Sequence, residues 1–123
     1  MIEGVSFGVL DGLDLILAGK APERMLVIGG GSRSAAWRQL LADASGAVVQ
    51  VPKEEEAGCL GAAIQAFHAW RAAAGQPVSY PEITDKWVQV EEAKTSHPQA
   101  ALGSPYGVAR ERYRAAVALA FGL

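Results

Sequence analysis

Met25-Leu26-Val27-Ile28-Gly29-Gly30-Gly31-Ser32-Arg33-Ser34 decides how this chain folds. Its four leading apolar residues are bounded by turn-forming residues and read as a short buried strand. Three glycines end the strand. From Ser34 to Ala44 the chain then carries Trp37, Leu40, Leu41 and Ala44 at i, i+3, i+4 and i+7, the spacing of one helix face. A strand that breaks on glycine and re-forms as a helix brings main chain close to a ligand. Without a Cβ the turn can be tight, and a phosphate or a flat base can touch the backbone. The start of the helix adds unpaired N–H groups and a partial positive charge. The stretch points to a nucleotide.

Upstream, residues 2–18 read as a helix. Ile2, Val5, Val9, Leu13 and Ile16 form an apolar stripe, and Glu3, Asp11 and Asp14 lie off it. Gly4, Gly8 and Gly12 make a second, flat stripe. Each glycine costs a helix about 1 kcal/mol against alanine, so this helix depends on another element packing closely against it. Gly19 and Pro22 end it. Downstream, Gly46 closes the second helix and Ala47–Val51 is a second strand, stopped by Pro52. Lys53–Glu56 opens a third helix that runs to about Ala74, with three glutamates in its first turn, where negative charge suits the helix dipole. Ala57, Leu60, Ile64 and Phe67 form its apolar side, and Gly75 ends it.

Residues 76–105 hold four prolines (Pro77, Pro81, Pro98, Pro105) and little periodicity. They read as irregular chain that wraps over the domain through Tyr80 and Trp87. A final helix is expected from about Val108 to Ala120, with Tyr113, Val117 and Ala120 inward. The chain thus divides into 1–75, an α/β portion; 76–105, an irregular segment; and 106–123, a C-terminal helix of the same domain. Two strands joined through a helix imply a right-handed parallel crossover. Two short strands are too few for an independent sheet. Either the loop hides more strands or this chain supplies part of a larger sheet.

The 123 residues suffice for one domain with a core. Half are hydrophobic and 20% charged, and the net charge is -2. That balance gives no reason to expect nucleic acid or an anionic membrane as partner. Acidic residues interrupt every apolar run before the roughly 20 residues a bilayer span needs. No basic segment precedes the first apolar run, so no signal peptide is expected. The single cysteine, Cys59, fits a reducing cytoplasm and reads as a small core residue. His68 and His97 have no metal-ligand partner at usable spacing, and no metal site is expected.

Three readings of the glycine turn compete. Gly29-x-Gly31-x-x-Ser34 approaches a dinucleotide-binding fingerprint, but the acid that should end the second strand is displaced past Pro52 to Glu54. A Walker-type loop needs a Gly-Lys-Ser/Thr that is not here. The third reading uses a wider stretch. Ile28 through Asp43, then Val49–Pro52, then Glu56-Ala57-Gly58-Cys59-Leu60-Gly61-Ala62-Ala63, resembles the adenosine-binding signature of the FGGY carbohydrate kinases, closest to their xylulokinase branch. Glu3-Gly4-Val5-Ser6-Phe7 is similar to the helix that precedes this motif in the family. The resemblance covers residues 2–70 well, and the tail with Trp87, Tyr106 and Tyr113 only loosely.

FGGY kinases have two actin-like domains of the ribonuclease H-like ATPase fold, with sugar and ATP meeting between them. The resemblance implies that this chain is the C-terminal portion of the second domain. It places Gly30 against the nucleotide and Ser34, where glycerol kinases carry asparagine, in reach of the adenosine. Gly29 and Gly31 would let the backbone approach. Ser34 is equally suited to be a helix N-cap. Trp37 belongs to the core by its place on the apolar stripe, and Gln39 and Asp43 position the turn and helix. Gly58, Gly61, Ala62 and Ala63 give a flat side that either borders the adenine pocket or packs on the sheet. Arg33 either meets a phosphate or is solvated, and Arg110, Arg112 and Arg114 read as a solvated face.

The family's phosphate hairpins, catalytic aspartate and sugar-binding residues lie upstream of the adenosine motif. This chain has no Asp-x-Gly-Thr, and its only threonines are Thr84 and Thr95. The resemblance therefore implies no catalytic residue and no metal ligand here. It implies ATP or ADP as ligand through Gly29, Gly30, Gly31 and Ser34, with Mg2+ serving the full-length kinase. The sugar, a ketopentose such as D-xylulose, would be reached only through upstream regions. The chain reads as a C-terminal piece, inactive alone, cytoplasmic and prone to self-association through an open face. The alternatives are a non-catalytic packing module, using an exposed sheet edge and the Gly4-Gly8-Gly12 face, and a small dinucleotide-binding unit.

Overall fold

Glycine at four chain reversals and polar caps at two helix starts set the order of elements in the computed structural model, which describes residues 1–122. Helix α1 spans Ile2–Ile16, strand β1 Arg24–Leu26, helix α2 Ala35–Ser45, strand β2 Val48–Gln50, helix α3 Ala57–Ala73, helix α4 Tyr80–Trp87 and helix α5 Ala100–Phe121. A 3₁₀ turn, Gly30–Arg33, joins β1 to α2. Gly46, at φ +75°, turns the chain out of α2 and returns its N–H to the Ala42 carbonyl. The strands are parallel, with Met25 opposite Val49. Bonds from Val27 N to Gln50 O and from Val48 N to Glu23 O extend their ladder at each end.

The proline-containing segment departs from the expected irregular chain in three ways. First, residues 89–96 return antiparallel along β2. Val49 and Ser96 exchange N–H···O bonds of 2.9 and 2.8 Å, and Glu91 N donates to Val51 O at 2.8 Å. The loop thus does hide strand-like pairing. Second, α4 forms inside it. Ser79 and Glu82 make a reciprocal capping box, and Pro81 sits in the first turn, where its missing N–H costs nothing. Third, α5 begins at Ala100 rather than Val108 and runs through Pro105. Its entry is tied to the domain by a 2.7 Å bond from Gln99 N to the buried Asp43 carboxylate. That anchorage offsets the helical bond that Pro105 cannot make. Leu123, the last residue of the expected 106–123 helix, lies outside the described residues.

The core gathers Leu10 of α1, Leu41 and Ala42 of α2 and Val49 of β2, with Met25, Val27 and Trp37 packed on it. α5 lies against α1 and α2. The flat stripe of α1 serves this packing: a Cβ at Gly8 would stand 3.0 Å from the Tyr113 hydroxyl, and Gly4 faces the same ring. Phe7 meets Tyr113 with ring centroids 5.9 Å apart. Two expectations need correction. Arg110 and Arg114 are not a solvated face; they bind Asp11 and Asp14 at 2.6–3.0 Å and fasten α5 to α1. The apolar stripe of α1 is not the buried face either. Ile2, Val5, Val9 and Ile16 are exposed, and Ser6, Phe7 and Leu10 are buried. In α3, Ile64 is buried, while Cys59 is exposed rather than in the core.

Candidate functional site

The main chain leaves β1 and reverses at Gly29, whose φ of +85° and ψ of -177° suit glycine alone. Ser32, buried in the 3₁₀ turn, directs both its N–H (3.0 Å) and its hydroxyl (2.7 Å) at the Gly29 carbonyl. Ser34 N donates to Gly31 O at 3.0 Å, and Ser34 Oγ accepts the Trp37 N–H at 3.3 Å, the N-cap role open to it from sequence. The three glycines differ in what the fold requires of them. Gly29 needs its positive φ. Gly31 makes room for Trp37, because a Cβ there would lie 2.5 Å from the indole. A Cβ at Gly30 would meet nothing within 4 Å.

That open space belongs to a cleft of about 260 Å³ between the glycine turn and Lys53–Glu56, floored by Val51 and Pro52. It lies beyond the carboxyl ends of both parallel strands, where open α/β sheets bind ligands. Arg33 crosses its mouth to Glu55 at 2.9 Å, with both side chains largely exposed. Three cations (Arg33, Lys53, Lys94) and three carboxylates (Glu54, Glu55, Glu56) line it, so it has no formal net charge. Gly29 and Gly30 face this cleft. Gly31 and Ser34 border a different, apolar recess of about 390 Å³, with Trp37 and the start of α1. The four residues singled out from sequence are therefore divided between two hollows.

The neighbouring motif residues are structural. Trp37 is half-buried, and its indole N–H donates to Ser6 Oγ at 2.9 Å, so α1 and α2 are joined through it. Gln39 donates to Asp43 (2.9 Å) and to the His97 carbonyl (2.8 Å), which ties the approach to α5 onto α2. Glu54–Glu56 do not form the first turn of a helix, as their dipole-matched charge suggests. Glu56 N is held by the Glu54 carboxylate at 3.1 Å, and Glu56 is the cap residue before α3. The three glutamates thus become the far wall of the cleft. The flat side of α3 packs on no sheet: a Cβ at Gly58 or Gly61 would meet open space, and Ala62 and Ala63 are exposed. Sequence reasoning assigns Arg38 no role, yet the structure buries it beneath the glycine turn, with Nη1 donating to the Ser32 carbonyl at 2.6 Å. The signal was its position, three residues before Leu41 and four before Ala42 on the inward arc of α2.

No helix among the described residues is long and apolar enough to cross a membrane. The C-terminal domain profile of the FGGY family of carbohydrate kinases matches residues 1–70. A xylulose kinase of Haemophilus influenzae is 34% identical over 114 residues, which is 92% of this chain and 22% of that protein. The structure of a ligand-bound xylulose kinase from Lactobacillus acidophilus has a TM-score of 0.79 at 26% identity, over 98% of this chain and 23% of that one. A gluconate kinase structure from the same organism has a TM-score of 0.77 at 28% identity, over 98% and 24%. The chain thus spans less than a quarter of the length of these proteins. Its α/β fold is the C-terminal portion of an actin-like, ribonuclease H-like ATPase domain. By a profile that covers more than half of its residues and by these likenesses, the chain belongs to the FGGY family of carbohydrate kinases, as a C-terminal part similar to that of xylulose kinases.

Proposed function

We propose that this chain forms the adenosine-side wall of the ATP site in a sugar kinase that phosphorylates a ketopentose such as D-xylulose. Gly30 supports this reading best: open main chain at the edge of a cleft, at the carboxyl ends of two parallel strands. A base or ribose laid against Gly30 would meet its backbone directly, with no side chain of that residue in the way. Gly29 holds the turn, Gly31 acts through Trp37, and Ser34 keeps a hydroxyl proton to donate toward the adenosine from the recess side. A cleft without formal net charge suits an uncharged nucleoside better than a polyphosphate. The β- and γ-phosphates would be held by other parts of a complete kinase, as phosphoryl transfer requires dedicated groups for them.

No residue of this chain is assigned to catalysis, and the chain alone is expected to be inactive. The magnesium ion that serves phosphoryl transfer would be held together with the phosphates by other parts of a complete kinase. No step is therefore routed through a metal held by this chain. The profile match ending at residue 70 favours a division near residue 75, with the later segments serving as packing for the adenosine portion. Cytoplasmic location belongs to the same reading, and the bare apolar stripe of α1 favours self-association of the isolated chain. Calorimetric titration with ADP and ATP tests the proposal: weak but saturable binding, abolished by Gly30→Val without loss of helix content, is the expected result. Absence of binding at millimolar nucleotide would refute it. Steady release of ADP from ATP and D-xylulose by this chain alone would refute the assignment of catalysis elsewhere.

A further inference from the structure

We infer that Arg38 is a positioning residue for the nucleotide cleft, its buried guanidinium fixing the Gly29–Ser32 turn from beneath; for its nucleotide readout this rests on the function proposed above. Arg38 sits in the first turn of α2 and is only 7% exposed. Among the described residues no carboxylate lies within 4.0 Å of it, and its Nε has no hydrogen-bond partner. A buried cation without a counter-ion is costly, and the packing of α2 gives no reason for one. An apolar side chain would cover Leu41 and Ala42 as well. What the guanidinium does reach is the Ser32 carbonyl, at 2.6 Å. Ser32 is 6% exposed and directs two donors at the Gly29 carbonyl.

The relay therefore runs from Arg38 to Ser32 to Gly29. It holds the Gly29–Gly30 peptide on one side of Gly30, the residue with the open approach, and the Gly31–Ser32 peptide beyond its other side. A bond from an ionised donor is about twice as strong as a neutral one. Without it the Ser32 carbonyl would be buried and unpartnered, a state the turn relieves only by moving. Such movement displaces the main chain that walls the cleft while leaving the strands where they are.

The test compares the 123-residue chain with Arg38→Met and Arg38→Lys. Amide hydrogen exchange is read at Ser32 and Ser34, against Val48 and Val49 of the strand ladder as internal standard. ADP affinity is measured in parallel. Arg38→Met is expected to speed exchange at Ser32 and Ser34 about tenfold relative to the ladder and to weaken ADP about tenfold. Arg38→Lys, which can still donate one bond to Ser32, is expected to recover at least half of each change on a logarithmic scale. Uniform acceleration of all amides, unchanged turn amides, or no recovery with lysine would each overturn the inference. Should Arg38→Met fail to fold, Arg38→Lys alone decides, by whether its smaller acceleration is confined to the turn. A native chain that binds no ADP would overturn the proposed function, while the exchange comparison would still decide the role of Arg38.

Discussion

α2 and α3 each follow a strand of the same parallel pair, yet α2 buries five residues and α3 buries one. α2 is capped by Ser34 at its start and by left-handed Gly46 at its end. Polar bonds tie it to α1 through Trp37 and Ser6, to the glycine turn through Arg38, and to α5 through Asp43 and Gln99. α3 has no side-chain cap, and its Gly58–Gly61 side faces open space. Its most extensive contact among the described elements is with α4, where Phe67 meets Trp87 and His68 stacks on Tyr80. The two walls of the cleft inherit this difference. The glycine wall is fixed by a dense set of short-range hydrogen bonds among Gly29, Ser32 and Arg38. The Lys53–Glu56 wall is an exposed charged segment tied to Gln89 at its Lys53 end. A ligand would therefore meet one preorganised side and one adaptable side.

The sharpest way to break the comparison is to truncate both helices. Leu41→Ala in α2 is expected to cost about 2–5 kcal/mol in urea unfolding, and Leu60→Ala in half-buried α3 less than half as much; equal losses would show that α3 is as integrated as α2. Next come the adjacent glycines. Gly31→Ala drives a methyl into Trp37 and is expected to cost about 1–3 kcal/mol. Gly30→Ala should leave the thermal midpoint nearly unchanged and weaken nucleotide binding instead. If Gly30→Ala destabilises as much as Gly31→Ala, the turn has no free edge. Gly61→Ala, with nothing in its way, is expected to stabilise by about 1 kcal/mol through helix propensity. A loss in its place would mean that the flat side of α3 is packed against something.

The smallest effect concerns the seam between α1 and α5. Burial alone would raise the Asp11 carboxyl, but hydrogen bonds from Arg114 and Arg110 outweigh it and hold the group below its ordinary value. A carboxylate lowered in the folded state stabilises above its unfolded pKa of about 3.9 and loses that contribution as pH falls through the lower folded value. The urea midpoint of Asp11→Asn should therefore lie below that of the native chain near neutral pH, and the gap should shrink below about pH 4. A gap that stays constant with pH would show that the arginines do not act on the charge of Asp11.

Parts of the second half of the chain were legible but concealed. Ser79-x-x-Glu82 with Pro81 between them spells a helix start, and the proline density of residues 76–105 hides it when prolines are counted rather than placed. α5 offers no such local signal, because its first turn depends on Asp43, 56 residues away from Gln99. The stripe on α1 misleads for a related reason. Periodicity finds an apolar face but not what covers it, and within this chain α5 covers the neighbouring glycine face.

The presence of a strand before the glycines, the glycine reversal, the Ser34 cap, the Gly46 stop and the parallel crossover follow from the sequence. Each depends on a short-range cause: a positive φ, a side-chain oxygen near a free N–H, or an apolar spacing. The burial expected of Met25–Ile28 does not hold, because Leu26 and Ile28 are exposed, on and just past a strand paired along one edge. Only the tertiary structure decides that Gly30 is open while Gly31 is filled by Trp37, that Glu54–Glu56 face the glycine turn, and that Arg38 lies beneath it without a carboxylate. Glu55 reaches the turn at Arg33 from 22 residues away, whereas Trp37 and Arg38 lie close in sequence to Gly31 and Ser32. Where their side chains turn depends on the packing of α2 against α1 and the core, which spacing alone does not specify.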